Sequence, residues 1–216
     1  MCIRDRQYHE GDLVFNVDPH RGQKTGTFLD QYENHRLAGR LAHGKVLDAF
    51  SYTGGFGLSA AGAADEVTLV DSSAEAMQAA RRHAKMNGID NVSYVEANVF
   101  DFLKAQDRDR AAYDVVILDP PAFAKNKREL GGALRGYKEV NLRAMKILRP
   151  GGILITCSCS YHLSETLMEE TLTAASVDAH RTFRVLERRQ QAPDHPVRLG
   201  FPESLYLKCQ VLELLD

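Results

Sequence analysis

From Lys45 onward, short apolar runs alternate with stretches whose apolar residues recur at helical spacing. The runs KVLDAF, EVTLVD, VSYVEA, YDVVILD and GGILITCS are each rich in Val, Ile, Leu or aromatic residues. They are nearly continuous rather than alternating, which predicts strands buried on both faces of a parallel sheet. Between them, Ser72 and Glu75 stand in a capping-box arrangement that opens a helix. That helix carries Met77, Ala80 and Ala84 on one face and stops at Asn87-Gly88. Further helices are predicted from about Tyr137 to Leu148, ending before Pro150, and from about Ser164 to Asp178.

Two more β runs follow, TFRVLERR and LYLKCQVLELL, joined by a segment without helical pattern. An antiparallel pair at one sheet edge is therefore expected. Ahead of the sheet, LVFNVD and TGTFLD flank a Pro/Gly turn and suggest a small hairpin, followed by a helix from about Gln31 to Leu41. The predicted fold class is α/β: a doubly wound, Rossmann-like sheet, mostly parallel, with an antiparallel C-terminal edge hairpin. Residues 1–6 (MCIRDR) fit none of these patterns and are set aside as a terminal scar. Residues 7–41 form a hairpin-and-helix extension, and 42–216 the main domain.

Composition narrows the class. The chain has 44% apolar and 26% charged residues, as an ordinary soluble globular protein does. No apolar run approaches the ~20 residues of a membrane helix, so no membrane partner is expected. Four cysteines in 216 residues are too few for a disulfide scaffold, which favours a reducing, cytoplasmic setting. The net charge of −2 does not announce a nucleic-acid binder, yet Lys125, Lys127, Arg128, Arg135 and Lys138 form a local basic cluster. A solvated loop and helix face explains any single member equally well.

Ligands of open parallel sheets sit outside the carboxyl ends of the strands. The first strand is followed by SYTGGFG, whose glycines let backbone approach a ligand closely. The second ends in Asp71, placed to accept from ribose hydroxyls or simply to cap the next helix. Asn98, after the third strand, suits an adenine edge or a helix cap. Together these features indicate a nucleoside cofactor, and without a G-x-G-x-x-G fingerprint S-adenosylmethionine (SAM) is favoured over NAD.

The fourth strand ends in Asp119-Pro120-Pro121, with Phe123 close behind. Two prolines fix an extended turn. That turn is either a terminator or a slot in which a base stacks on Phe123 and bonds Asp119. The fifth strand runs into Cys157-Ser158-Cys159-Ser160. No further Cys/His pair stands at zinc spacing, so no metal is expected. Buried thiols pack as small hydrophobes. Cys159, past the apolar run and flanked by serines, is the better placed for a nucleophile, and Cys157 for packing.

These motifs together resemble the RlmI type of 23S ribosomal RNA cytosine-C5 methyltransferases. The likeness rests on FSYTGGFG, LVDSS, LDPPAFAKNK, GALRGYKEVN, CSCS, DHPV…PESLYLK and GQKTGTFLDQYENHR, in order from about Leu13 to the C-terminus. Family members carry an N-terminal PUA-type RNA-binding domain, so this chain is similar to their catalytic part alone. The resemblance implies SAM contacts from Gln31, Phe50, Ser51, Tyr52, Thr53, Gly54, Gly55, Asp71, Ser72, Asn98 and Asp119. It also implies a base site at Pro120, Pro121 and Phe123 with Lys125, Arg135 and Lys138, and catalysis by Cys159 and Asp119. The implied partner is 23S ribosomal RNA or the assembling large subunit, with a homodimer left open. The family usually has an acid at Asn98 and arginines at Tyr32 and His35, which Arg36 or Lys24 could replace.

The implied chemistry is addition of Cys159 to cytosine C6, which makes C5 nucleophilic toward a methyl group. Asp194 and His195 are candidates for removing the C5 proton. A rival is methylation of guanine or an exocyclic amine, which needs no thiol; a related 7-methylguanine group carries Asn where Cys159 lies. A catalytically silent RNA- or SAM-binding module is the third reading.

Overall fold

The structure, a computed structural model, describes residues 6–17, 27–124 and 126–216. Its centre is a seven-stranded sheet: β3 (Lys45–Ala49), β4 (Glu66–Asp71), β5 (Val92–Glu96), β6 (Tyr113–Leu118), β7 (Leu148–Ser158), β8 (Phe183–Arg189) and β9 (Lys208–Leu214). The strand order is β5-β4-β3-β6-β7-β9-β8. The first five are parallel, and β9 runs antiparallel to both β7 and β8. The chain reverses its lateral direction between β3 and β6, which opens a crevice at their carboxyl ends.

Among the described residues, six α-helices cover the sheet: α1 (Tyr32–Leu41), α2 (Gly55–Ala61), α3 (Ala74–Met86), α4 (Val99–Arg108), α5 (Leu130–Lys146) and α6 (Glu165–Ala179). Alternate residues of each strand serve opposite layers. Leu47, Ala49, Val116, Leu118 and Leu154 pack with Leu103, Tyr137, Val140 and Met168 of α4–α6. Val46, Val115, Ile117, Ile153 and Ile155 pack with Leu37, Phe56, Ala60 and Met77 of α1–α3. Both strand faces are thus apolar, as the continuous runs predict. Truncating a side chain such as Ile117 to alanine would cost about 2–5 kcal/mol.

Three boundaries differ from expectation. The helix cap before α3 is Ser73, whose hydroxyl accepts from Ala76 N at 3.2 Å, not Ser72. Asp71 Oδ1 accepts from Ser73 N at 2.9 Å and fixes that position as the turn. α5 begins at Leu130, seven residues before the expected start at Tyr137, despite its glycines. A Cβ on Gly136 would lie 3.2 Å from the Phe123 ring, so that glycine lets α5 settle on the ring. β7 starts at Leu148 and passes through Pro150, with the irregular register beside Tyr113 and Val115 absorbing the proline.

A separate hairpin pairs β1 (Arg6–Glu10) with β2 (Leu13–Val17). LVFNV therefore pairs with RQYHE, and Arg6 belongs to a strand. Glu10 and Leu13 flank a two-residue turn whose first member, Gly11, has φ 59°, a geometry that suits strand twist. Of TGTFLD, Thr25 and Gly26 lie outside the described residues, as do Met1–Asp5 and Lys24. Leu29–Gln31 form a 3₁₀ turn. The hairpin docks on α3. Phe15 is buried. The Asn87 side chain accepts from Val14 N at 2.7 Å and donates to Val14 O at 2.8 Å, as a neighbouring strand would.

Candidate active site

The carboxyl ends of β3, β4, β6 and β7 meet at a cavity of about 550 Å³. The loop after β3 forms one wall. Phe50 and Tyr52 hold left-handed backbone at φ 65° and 47°, and Gly54 follows at 91°. Non-glycine residues in that region cost about 1–3 kcal/mol each and persist where surrounding bonds over-determine them. Here Ser51 N donates to Val70 O at 3.1 Å and Tyr52 N to Asp71 Oδ2 at 2.9 Å. A Cβ on Gly55 would collide with the His35 ring, and one on Gly57 with Leu69, so α2 can start only this close to the sheet with glycine there. Beneath it, Asp48 is fully buried and accepts from Gly57 N at 2.8 Å. Burial pushes its carboxyl up to about 7, the Gly57 bond and His35 oppose this, and Asp119 and Asp71 add to it.

Among the expected cofactor residues, Gln31, Phe50, Ser51, Tyr52, Thr53, Gly55, Asp71, Ser72 and Asp119 line the cavity. Ser51 Oγ is buried there with no hydrogen-bond partner. Both Asp71 oxygens accept backbone N–H bonds, from Tyr52 and Ser73, while the residue also lines the cavity. Gly54 shapes the loop without lining the cavity. Asn98 does not line it either: its Oδ1 accepts from Phe100 N at 2.9 Å and Asp101 N at 3.4 Å. Capping α4 thus occupies the oxygen that an adenine amino group would need.

At the opposite wall, Asp119, Pro120 and Pro121 face the cavity with Cys159. Gln31 Nε2 donates to Asp119 Oδ1 at 2.9 Å. Phe123 does not line the cavity; its ring packs 4.6 Å from Tyr137, 5.7 Å from Phe100 and 6.2 Å from Phe50, centroid to centroid. Lys125 lies outside the described residues. Arg135 is exposed on α5, and Lys138 pairs with Asp178 of α6 at 2.7 Å, so neither joins this site. Asp194 and His195 pair with each other at 2.9 Å, also outside the lining.

The two cysteines separate cleanly. Cys157 is fully buried opposite Cys209 of β9, and burial followed by the neighbouring thiol pushes its own thiol up. Cys159 is partly exposed and lines the cavity. Its flanking serines point inward instead. Ser158 Oγ donates to Tyr137 Oη at 3.0 Å, and Tyr137 Oη to Ser160 Oγ at 3.2 Å. Ala124 N donates to Ser160 Oγ at 3.4 Å, tying the Asp-Pro-Pro loop to the cysteine loop.

Sequence reasoning left several partnerships unseen here. His35 replaces the expected arginine and pairs with buried Glu10 at 2.7 Å. Tyr137 buttresses both serines. Lys208 is buried, and its ammonium donates to Ser160 O at 2.6 Å and Tyr206 O at 2.8 Å. A lone lysine inside the apolar run LYLKCQVLELL was the available signal. Among the described residues, no group of three or more His, Cys, Asp or Glu is placed to hold a metal. Nor is any helix among them long and apolar enough to cross a membrane.

Comparison with known proteins gives this geometry a context. Residues 4–202 match the model of a family described as S-adenosylmethionine-dependent methyltransferase. The chain is 46% identical over 203 residues to ribosomal RNA large subunit methyltransferase I of Shewanella denitrificans, covering 92% of this chain and 51% of that protein. Against the protein of that name from Aeromonas hydrophila, identity is 43% over 206 residues, covering 94% and 52%. Among solved structures it is similar to SMU.776, whose crystal structure is complexed with SAH, at 27% identity and TM-score 0.87. That match covers 99% of this chain and 57% of the other. The chain spans about half the length of the curated relatives it matches. By family match and by fold, it belongs to the S-adenosylmethionine-dependent methyltransferases.

Proposed function

We propose that this chain methylates C5 of a cytosine in large-subunit (23S) ribosomal RNA, in the cytoplasm, through a covalent adduct of Cys159. The observation that carries this reading is that Cys159 and Asp119 line the same cavity as the glycine loop, while Cys157 is buried opposite Cys209. The relatives named for large-subunit ribosomal RNA support the substrate class.

The cavity's residues fit SAM. The unpartnered Ser51 hydroxyl, the left-handed loop and Asp71 form a polar cradle in which an amino acid and a ribose find partners. When bound, SAM supplies an electrophilic methyl group on its sulfonium. The protein's task is to make a poor carbon nucleophile react. The Cys159 thiolate adds to C6, forming the S–C6 bond and moving electron density to C5. Asp119, oriented by Gln31, holds a proton at N3 to support that addition. Loss of the C5 proton to a base then re-forms the C5–C6 double bond and expels the thiolate. Pro120 and Pro121 fix the turn that follows Asp119, and the Ala124–Ser160 bond ties that turn to the Cys159 loop, which lowers the entropy cost of reaction.

Labelled SAM and ribosomal RNA fragments, followed by mapping of the modified base, test this function. 5-Methylcytosine is the expected product. Label on guanine or on an exocyclic amine would move the chain to the thiol-independent class, and SAM binding without transfer would make it a silent module.

A further inference from the structure

Lys208 is only 4% exposed, yet its ammonium is held by two neutral backbone oxygens, those of Ser160 and Tyr206. It opens β9 opposite Ser158, at the point where β7 gives way to the Cys159 turn. Ser160 directly follows Cys159, and Tyr206 directly precedes Leu207, which lines the cavity. One buried cation therefore pins both segments that flank the thiol. A buried ammonium whose hydrogen-bond acceptors, among the described residues, are neutral carbonyls is costly, and a methionine would occupy similar space without that cost.

We propose that Lys208 is a positioning residue that stabilises the Cys159 thiolate and fixes the turn that carries it. This rests on the reading of Cys159 as the nucleophile. The thiol proton leaves to solvent, and Lys208 keeps its own three.

The surrounding charges single out Lys208. Tyr137 of α5 and Tyr206 both interact electrostatically with Cys159, and burial raises both phenols, so they stay neutral near pH 7. Asp119 shares the cavity wall, and Asp30 accepts from Tyr206 Oη at 2.8 Å; both carboxylates oppose a thiolate. His35 and Arg82 reach the cavity from α1 and α3, and Asp194 also acts on Tyr206. Burial pushes the Lys208 ammonium down to about 8, and the charge of Cys159, then that of exposed Glu165, pull it back. Such coupling is reciprocal: a thiolate that supports the ammonium is supported by it.

The test is iodoacetamide alkylation of Cys159 across a pH series, read by peptide mass mapping in the wild type, Lys208→Met and Lys208→Arg. In the wild type the midpoint is expected below the ordinary thiol value of about 8.5. In Lys208→Met the midpoint rises and alkylation at neutral pH slows about tenfold. Methyl-transfer kcat falls in parallel, with KM for RNA little changed, and Lys208→Arg keeps the low midpoint. A wild-type midpoint at or above the ordinary value overturns the proposal even if Lys208→Met does not fold. So does an unchanged midpoint in Lys208→Met, or an equal rise in Lys208→Arg. Failure of the cytosine reading looks different: Cys159→Ala would transfer methyl at full rate, whatever the alkylation series gives.

Discussion

Gln31 stands between Asn34 and Asp119, donating to the Asp119 carboxylate at 2.9 Å and accepting from Asn34 Nδ2 at 2.7 Å. Arg189 of β8 donates in turn to Asn34 Oδ1 at 2.8 Å. A polar chain thus runs from the sheet edge to the proposed catalytic acid, and each member orients the next. Gln31→Leu removes the bond that aims Asp119. The expected result is a kcat lower by about 10–100-fold, with KM for SAM changed less. Steady-state methyl transfer checks this, and an unchanged kcat would show that the relay does not matter.

Asn87 joins the hairpin to α3 through two bonds to Val14, and its side chain also donates to His83 O at 2.8 Å. Asn87→Ala leaves the Val14 N–H and carbonyl without this partner. A loss of about 1–3 kcal/mol is expected in urea denaturation. Hydrogen exchange should rise first in β1 and β2, because the parallel sheet does not depend on this contact.

Asp48 gives stability a pH dependence of defined sign. Its carboxyl sits at about 7 in the fold against 3.8 unperturbed, chiefly through burial. Between those values the folded chain keeps a proton that the unfolded chain has lost. Asp48 therefore lowers stability progressively as pH rises from about 4 to about 7, and adds no further slope above that. Asp48→Asn retains a carbonyl for Gly57 N but cannot titrate. Relative to wild type, it should gain up to roughly 4 kcal/mol across the window, measured as the difference in urea unfolding free energy. A constant difference would contradict the assignment.

The strands were legible because burial on both faces leaves an unambiguous run: EVTLVD is β4 residue for residue. The start of α5 was not, because Gly131, Gly132 and Gly136 read as loop until Phe123 is seen against Gly136. A hairpin was expected at LVFNV, but not with β1 as the partner of β2. Its true partner strand lay in a segment partly set aside, and a two-residue Gly11-Asp12 turn is the more local closure. In the site, strand ends set Cys159 apart from Cys157, because sheet order puts Asp119 and Cys159 just past the ends of neighbouring strands. Asn98 was expected beside the adenine although the first N–H groups of α4 occupy its oxygen, and Lys138 was expected at the base site although it pairs with Asp178 of α6. The contacts of Tyr137 and Lys208 were hidden for another reason. Their bonds to Ser160 cross 23 and 48 residues of chain, a distance no periodicity encodes.

The central claim is that Cys159 bonds to cytosine C6 while Cys157 only packs. Its most direct test is incubation with SAM and ribosomal RNA carrying 5-fluorocytosine, read as a protein–RNA adduct on a denaturing gel. Fluorine at C5 cannot leave as a proton does, so the thiol remains attached. Wild type and Cys157→Ala are expected to form the adduct, and Cys159→Ala none. An adduct that survives in Cys159→Ala, or full methyl transfer to cytosine by that variant, would contradict the account.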